Sequence, residues 1–286
     1  MCVSPEWGNT IAMQKHFVEV SGHKLAYWES GAGETLLLVH GITTYSFIWK
    51  EMIASLAAAG YRVLAVDLLG CGDSDKPPDV SYALKDHAQR LKDFTDKLGI
   101  ERFHYIGHDL GGGIGQIFAV RNPASLLDLT LINTVAYDFW PVQPIIAMRT
   151  PIVRQLMMAS MDVGTFRIVV RRGLYHKKKA TKELMDHFMK PMGTPDGRKA
   201  FLHFARCLDN HDLTDIAGSL PSLPMPVLII RGEADSYLSS IISDRLHHEI
   251  PQSRLVRIAT GAHFLMIDEP ERVSAHVLEF VGGQHA

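Results

Sequence analysis

Six short apolar runs recur along this chain, most of them with longer amphipathic stretches between, and that alternation restricts the fold more than any other feature of its 286 residues. The runs are Leu36–Val39, Arg62–Val66, Phe103–Ile106, Leu129–Ile132, Val227–Ile230 and Arg254–Ile258. Most are apolar at nearly every position, as strands buried on both faces of a parallel sheet must be. Between them, Ser81–Leu98 sets Leu84, Ala88, Leu91, Thr95 and Leu98 on one helical stripe and stops at Gly99. Phe47–Ala59, Gly112–Arg121, Leu238–Glu249 and Pro270–Val281 have the length and pattern of further helices. The repetition predicts an α/β fold with a mostly parallel, doubly wound sheet. Ahead of it, His16–Val20 and Lys24–Trp28 flank Ser21-Gly22-His23 and predict an antiparallel hairpin on one edge.

The rhythm breaks once. From about Asp138 to Asp215 the pattern is helical with Pro and Gly punctuation, and it returns to strand only at Pro226. This predicts a first core part over 15–137, an inserted helical segment over 138–215 and a second core part over 216–283. Seven of the twelve methionines lie between Met148 and Met192, which suits either an adaptable cover over an apolar pocket or the gap-filling of a helical subdomain. Residues 139–215 carry thirteen Lys and Arg against seven Asp and Glu, a local +6 in a chain of net charge −2. Arg171-Arg172 and Lys177-Lys178-Lys179 are expected to be solvated helix faces. So small a net charge gives no general attraction for nucleic acid or an anionic membrane. A chain 47% hydrophobic and 21% charged is neither disordered nor fibrous. Cys2, Cys71 and Cys207 share no metal or redox spacing and are expected to be free thiols. With a polar first ten residues and no long uninterrupted apolar run, the expectation is a cytoplasmic protein outside the membrane. Oligomeric state is left open.

The chemistry concentrates in Tyr105-Ile106-Gly107-His108-Asp109-Leu110-Gly111-Gly112. A strand runs directly into a helix there, with small residues two before, two after and three after a central acid. That spacing is needed when the central residue takes φ > 0 and strand and helix must pass closely. Its side chain is pushed up at the C-terminal edge of the sheet, beside the positive end of the following helix. Taken alone, Asp109 could equally be a helix cap.

This arrangement resembles the nucleophile elbow of the α/β-hydrolase superfamily, with aspartate at Asp109 where lipases and esterases carry serine. Further features match it. His40-Gly41 closes the third strand, Asp67–Ser74 resembles the turn after the fourth, Asp235 follows the Val227–Ile230 strand, and Gly261-Ala262-His263 follows the last strand. The resemblance covers about residues 15–283 and places its cap domain where the insertion lies. It implies Asp109 as nucleophile, His263 as base, Asp235 as acid, and the backbone N–H groups of Ile42 and Leu110 as the oxyanion hole. Glu233 and Asp138 compete with Asp235 for the acid. Asn133, where some relatives place the acid, is an amide and cannot serve.

An aspartate nucleophile implies an alkyl ester on the enzyme, hydrolysed by His-activated water, as in epoxide hydrolases and haloalkane dehalogenases. The implied substrate is a small apolar electrophile with water as co-substrate, and neither metal nor organic cofactor is called for. Haloalkane dehalogenases characteristically carry Trp after the nucleophile and often Asn after His-Gly; Leu110 and Ile42 stand there. Epoxide hydrolases need a proton donor in the cap, usually a tyrosine pair. Tyr175 and Tyr137 are the candidates, with Trp140 as a further binding candidate and His176, His203 and His211 as substitutes. An epoxide hydrolase is the first expectation. The alternatives are a dehalogenase-like or β-lactone-opening enzyme, or a non-catalytic receptor on the same fold.

Overall fold

Successive side chains of a strand leave opposite faces, and in this protein that alternation divides the core in two. Leu37, Val39, Tyr105, Leu129 and Ile229 pack into one apolar cluster, while Leu36, Leu38, Ile106, Ile132 and Ile230 pack into the other. Burying each such leucine or isoleucine contributes about 2 kcal/mol. The computed structural model describes residues 13–138 and 165–283. Its strands are β1 (Gln14–Val20), β2 (His23–Ser30), β3 (Thr35–Val39), β4 (Arg62–Val66), β5 (Phe103–Asp109), β6 (Leu126–Thr134), β7 (Val227–Gly232) and β8 (Ser253–Ile258).

They form one sheet in the order β1-β2-β4-β3-β5-β6-β7-β8. Only the β1–β2 and β2–β4 pairings are antiparallel; the pairings from β4 through β8 are parallel. The edge hairpin turns on Ser21 and Gly22, both left-handed (φ 51° and 79°), as a two-residue hairpin turn requires.

Helices α1 (Lys50–Ala58), α2 (Leu84–Lys97) and α3 (Leu110–Arg121) connect the first strands. Between β6 and β7 lie α4 (Thr165–Arg172), α5 (Lys182–Met189), α6 (Pro195–Cys207) and α7 (His211–Thr214). After β7 come α8 (Ser240–Glu249), α9 (Leu265–Asp268) and α10 (Pro270–Gly282). The first cluster takes the apolar faces of α2, α3 and α8, and the second those of α1, α9 and α10. Phe201 and Phe204 of α6 join the first; Phe166 of α4 and Phe188 of α5 join the second. No helix among the described residues is long and apolar enough to cross a membrane.

Helix starts differ from the sequence expectation, each for a local reason. The 47–59 segment divides into a 3-10 turn over Ser46–Trp49 and then α1. The 238–249 segment starts at Ser240 because the Ser239 hydroxyl accepts from Ile241 N. The basic run is not wholly solvated: Lys179 Nζ donates to the carbonyls of Ile267 (2.8 Å) and Asp268 (2.9 Å), the free acceptors at the end of α9.

Candidate active site

Strand β5 passes into α3 with Asp109 at the joint, at φ 53° and ψ −117°. For a residue with a Cβ this backbone costs about 1–3 kcal/mol, and the neighbouring glycines make it possible. A Cβ on Gly111 would strike the carbonyl of Val39, and one on Gly107 the carbonyl of Gly111. Asp109 is only 5% exposed. Its Oδ2 accepts from Ile42 N at 3.0 Å, and Leu110 N also bonds the carboxylate. Gly41 closes the other side, since any Cβ there would overlap the carboxylate. Burial pushes the Asp109 carboxyl above its ordinary range, against the opposing pull of His263 and the two N–H groups.

Asp235 lies in the turn after β7. Its Oδ1 accepts from Tyr237 N (2.8 Å) and Leu238 N (3.2 Å), and its Oδ2 faces His263 Nδ1 at 3.0 Å. His263 stands in the loop between β8 and α9, 8% exposed, with the rings of His108, Phe264 and Tyr237 centred 4.8, 5.1 and 5.2 Å from its own. Burial alone would lower its affinity for a proton, but Asp235 and Asp109 outweigh it, and the imidazole is held above its ordinary value. Burial likewise works to raise Asp235, but His263 and Arg231 hold it below the usual carboxylate range. The competing acids lie elsewhere: Glu233 pairs with Arg257 at 2.7 Å on the surface, and Asp138 is exposed.

Three side chains beneath this pair were not singled out for it in the sequence. Asn133, left-handed at φ 40°, donates to the carbonyls of Ala262 (2.7 Å) and His263 (3.0 Å) and accepts from Gly232 N (2.9 Å). The residue dismissed as an acid therefore ties the base loop to β7. His108 Nε2 donates to the same His263 carbonyl at 2.9 Å. Arg231, 4% exposed, reaches Asp235 Oδ2 at 3.4 Å. A charge at the end of an apolar strand was the available signal, because a buried guanidinium must find partners.

The proton-donor candidates are not gathered here. Tyr137 is buried, with its hydroxyl donating to Glu249 at 2.8 Å and the Arg245 guanidinium 3.7 Å from its ring centre. Tyr175 is 44% exposed, and its backbone N–H is fixed to Asp268. His176 faces Glu269, His203 faces the Val80 carbonyl and His211 faces Asp209. Trp140 lies outside the described residues.

Comparison with known proteins identifies the fold family. Residues 34–270 match the alpha/beta hydrolase fold family. A cis-3-alkyl-4-alkyloxetan-2-one decarboxylase of Shewanella oneidensis is 26% identical over 285 residues, spanning 95% of this chain and 89% of that protein. Bifunctional epoxide hydrolase 2 of Sus scrofa is 25% identical over 299 residues, 91% of this chain and 53% of that one. The crystal structure of the haloalkane dehalogenase DbeA from Bradyrhizobium elkani superposes with a TM-score of 0.83 at 26% identity, covering 96% of this chain and 99% of that one. The chain belongs to the α/β-hydrolase fold family, as an enzyme with haloalkane dehalogenase and epoxide hydrolase relatives.

Proposed function

We propose that this protein opens small apolar electrophiles through a covalent ester on Asp109, without a cofactor. The carboxylate attacks a saturated carbon, the bond from that carbon to oxygen or halogen breaks, and an alkyl ester remains. Oδ2 is held by Ile42 N–H, which leaves Oδ1 to attack. His263 then takes a proton from water, with Asp235 orienting the ring, and the hydroxide adds to the Asp109 Cγ. The oxyanion develops on Oδ2 against the N–H groups of Ile42 and Leu110, a donor of this kind being worth about 10²-fold or more in rate. Its collapse frees the alcohol and restores the carboxylate. Residues 138–215 act as the cap, between core parts 15–137 and 216–283. The observation that carries this reading is a strained, buried carboxylate held by a backbone N–H and electrostatically coupled to the hydrogen-bonded His263–Asp235 pair.

The leaving group follows from who can supply a proton. An epoxide departs as an alkoxide and needs a donor. All eight tyrosines of the chain lie among the described residues, and the two candidates are bonded to Glu249 or set on the surface. A β-lactone opened at its saturated carbon departs as a carboxylate and needs none. A halide also needs no proton, but Ile42 and Leu110 offer it no side-chain N–H. These points favour the β-lactone, as does the relative from Shewanella. The resulting ester carries a carboxylate two carbons from the Asp109 oxygen. Water would convert it to a β-hydroxy acid; loss of CO2 with departure of the Asp109 carboxylate would give an alkene. An epoxide is the second reading, favoured by the relative from Sus scrofa.

His263→Gln should form the ester and fail to hydrolyse it. Intact mass is expected to rise by the whole substrate for a lactone or epoxide, or by substrate less HX for a haloalkane, localised on Asp109. A lactone that decarboxylates is seen instead as CO2 and alkene. Neither adduct nor wild-type turnover across the three classes would overturn the ester mechanism.

A further inference from the structure

One charged side chain at the site has no part in the steps above. Arg231 occupies the buried end of β7, where every residue of the strand is buried. NH1 donates to Asp235 Oδ2 at 3.4 Å, and NH2 to the carbonyls of Asp235 (3.2 Å) and Leu238 (2.8 Å). The guanidinium therefore closes the turn that presents the acid and shares with His263 the same carboxylate oxygen. Its Nε is buried without a hydrogen-bond partner among the described residues, so the side chain is placed for the turn rather than for its own satisfaction.

We propose that Arg231 is a positioning residue for the acid–base pair, fixing the 235–238 turn and setting a permanent positive charge beside Asp235 so that His263 stays free to take a proton from water. This rests on the reading of Asp235 and His263 as acid and base. The charges around the imidazole decide the matter. Asp235 from the turn after β7 and Asp109 from the elbow both favour its protonated form, and Arg231 opposes them. His108, behind it on β5, is pushed well below its ordinary value by burial and stays neutral. The Tyr237 phenol, pushed up to about 12 by burial, is neutral too, and Arg172 lies 5.8 Å from that ring's centre. Beyond Arg231, Glu233 and Asp244 are both paired with Arg257. Two carboxylates without the guanidinium would bind the His263 proton more tightly, and less of the imidazole would be free to act as base. Removing Arg231 raises the proton affinity of His263, so the acid limb of the activity profile moves to higher pH.

The test uses wild type, Arg231→Met and Arg231→Lys, read in two ways: the pH profile of substrate turnover, and an NMR titration of His263 without substrate. In Arg231→Met both midpoints should rise by about one pH unit. Arg231→Lys restores the charge without the fork, so both midpoints should return toward wild type while the plateau rate stays reduced. A merely structural role would lower the melting temperature and plateau and leave the midpoints unmoved, which would overturn the proposal. Arg231→Gln carries the same expectation as Met and can still reach the turn carbonyls should the Met variant fail to fold. The titration needs no substrate, so it decides the role of Arg231 separately from the ester reading, whose failure shows as a missing adduct on His263→Gln.

Discussion

Near each end of β5 an imidazole is paired with a buried carboxylate. At the start of the strand, His104 Nδ1 meets Asp128 Oδ2 at 2.6 Å, with both residues fully buried. At its end, close to Asp109, His263 Nδ1 meets Asp235 Oδ2 at 3.0 Å, with each residue 8% exposed. Judged as pairs, the first is shorter and drier. Yet both of its members belong to strands, its Nε2 lies 3.5 Å from the Glu34 carboxylate, and the Tyr61 ring lies edge-on, 5.8 Å away between centres. No strained turn and no helix N-terminus delivers a reactive group to it. His263 and Asp235 instead come from loops at the end of the sheet where α3 begins, and the Asp109 charge is coupled to His263. The comparison teaches that the elements delivering an imidazole–carboxylate pair, and the group they set it beside, separate the two pairs. The quality of the pair itself decides little.

Substitution can break that comparison. Asp109→Ala should lower turnover by about 10⁴-fold or more while shifting the melting temperature by only a few degrees. Asp128→Asn should do the reverse. It replaces the buried carboxylate facing His104 with an amide whose oxygen still accepts from Nδ1, and costs about 2–3 kcal/mol of stability, with kcat per folded molecule unchanged within about twofold. Denaturant melts and active-site-normalised rates on the same preparations check both. A folded Asp128→Asn protein with no activity would show that the two ends are not separable.

The legible parts of this molecule are those written in local spacing. The central strands are in place because β-branched, doubly apolar runs have few alternatives, and the elbow because glycines spaced around an acid let strand and helix pass closely where φ is positive. The order Asp109, Asp235, His263 came from resemblance, and the fold sets the last two 3.0 Å apart. What escaped the sequence depends on residues brought together by the fold. Tyr137 reads as a cap tyrosine until Glu249, 112 positions on, takes its hydroxyl. Asn133 reads as a missing acid until its amide meets two carbonyls about 130 positions away. The four-residue α9 is too short to leave a period, although its carbonyls are what hold Lys179.

The last expected effect concerns acid stability and sharpens the contrast between the two ends. His40, fully buried after β3, faces the Gly41 carbonyl through Nδ1 (2.8 Å) and accepts from Leu68 N at Nε2 (3.0 Å), so its neutral tautomer is fully satisfied. Burial pushes it down to about 4. The unfolded chain binds that proton from about pH 6.5 downward, and the folded protein only near 4. Stability is therefore complete above pH 6.5 and falls through the window to 4, by about 3 kcal/mol for this group. His87 and His108, also lowered by burial, act in the same direction. Asp67 and Asp109 are raised, so the folded state takes up their protons first, which offsets part of the loss as pH falls. Urea unfolding of His40→Gln, whose amide oxygen can still accept from Leu68, should show a pH dependence flatter by about 3 kcal/mol between pH 7 and 4. Asp128→Asn should leave the His40 contribution intact, because that titration belongs to the upper end of the sheet; a slope lost in Asp128→Asn would mean the two ends titrate as one.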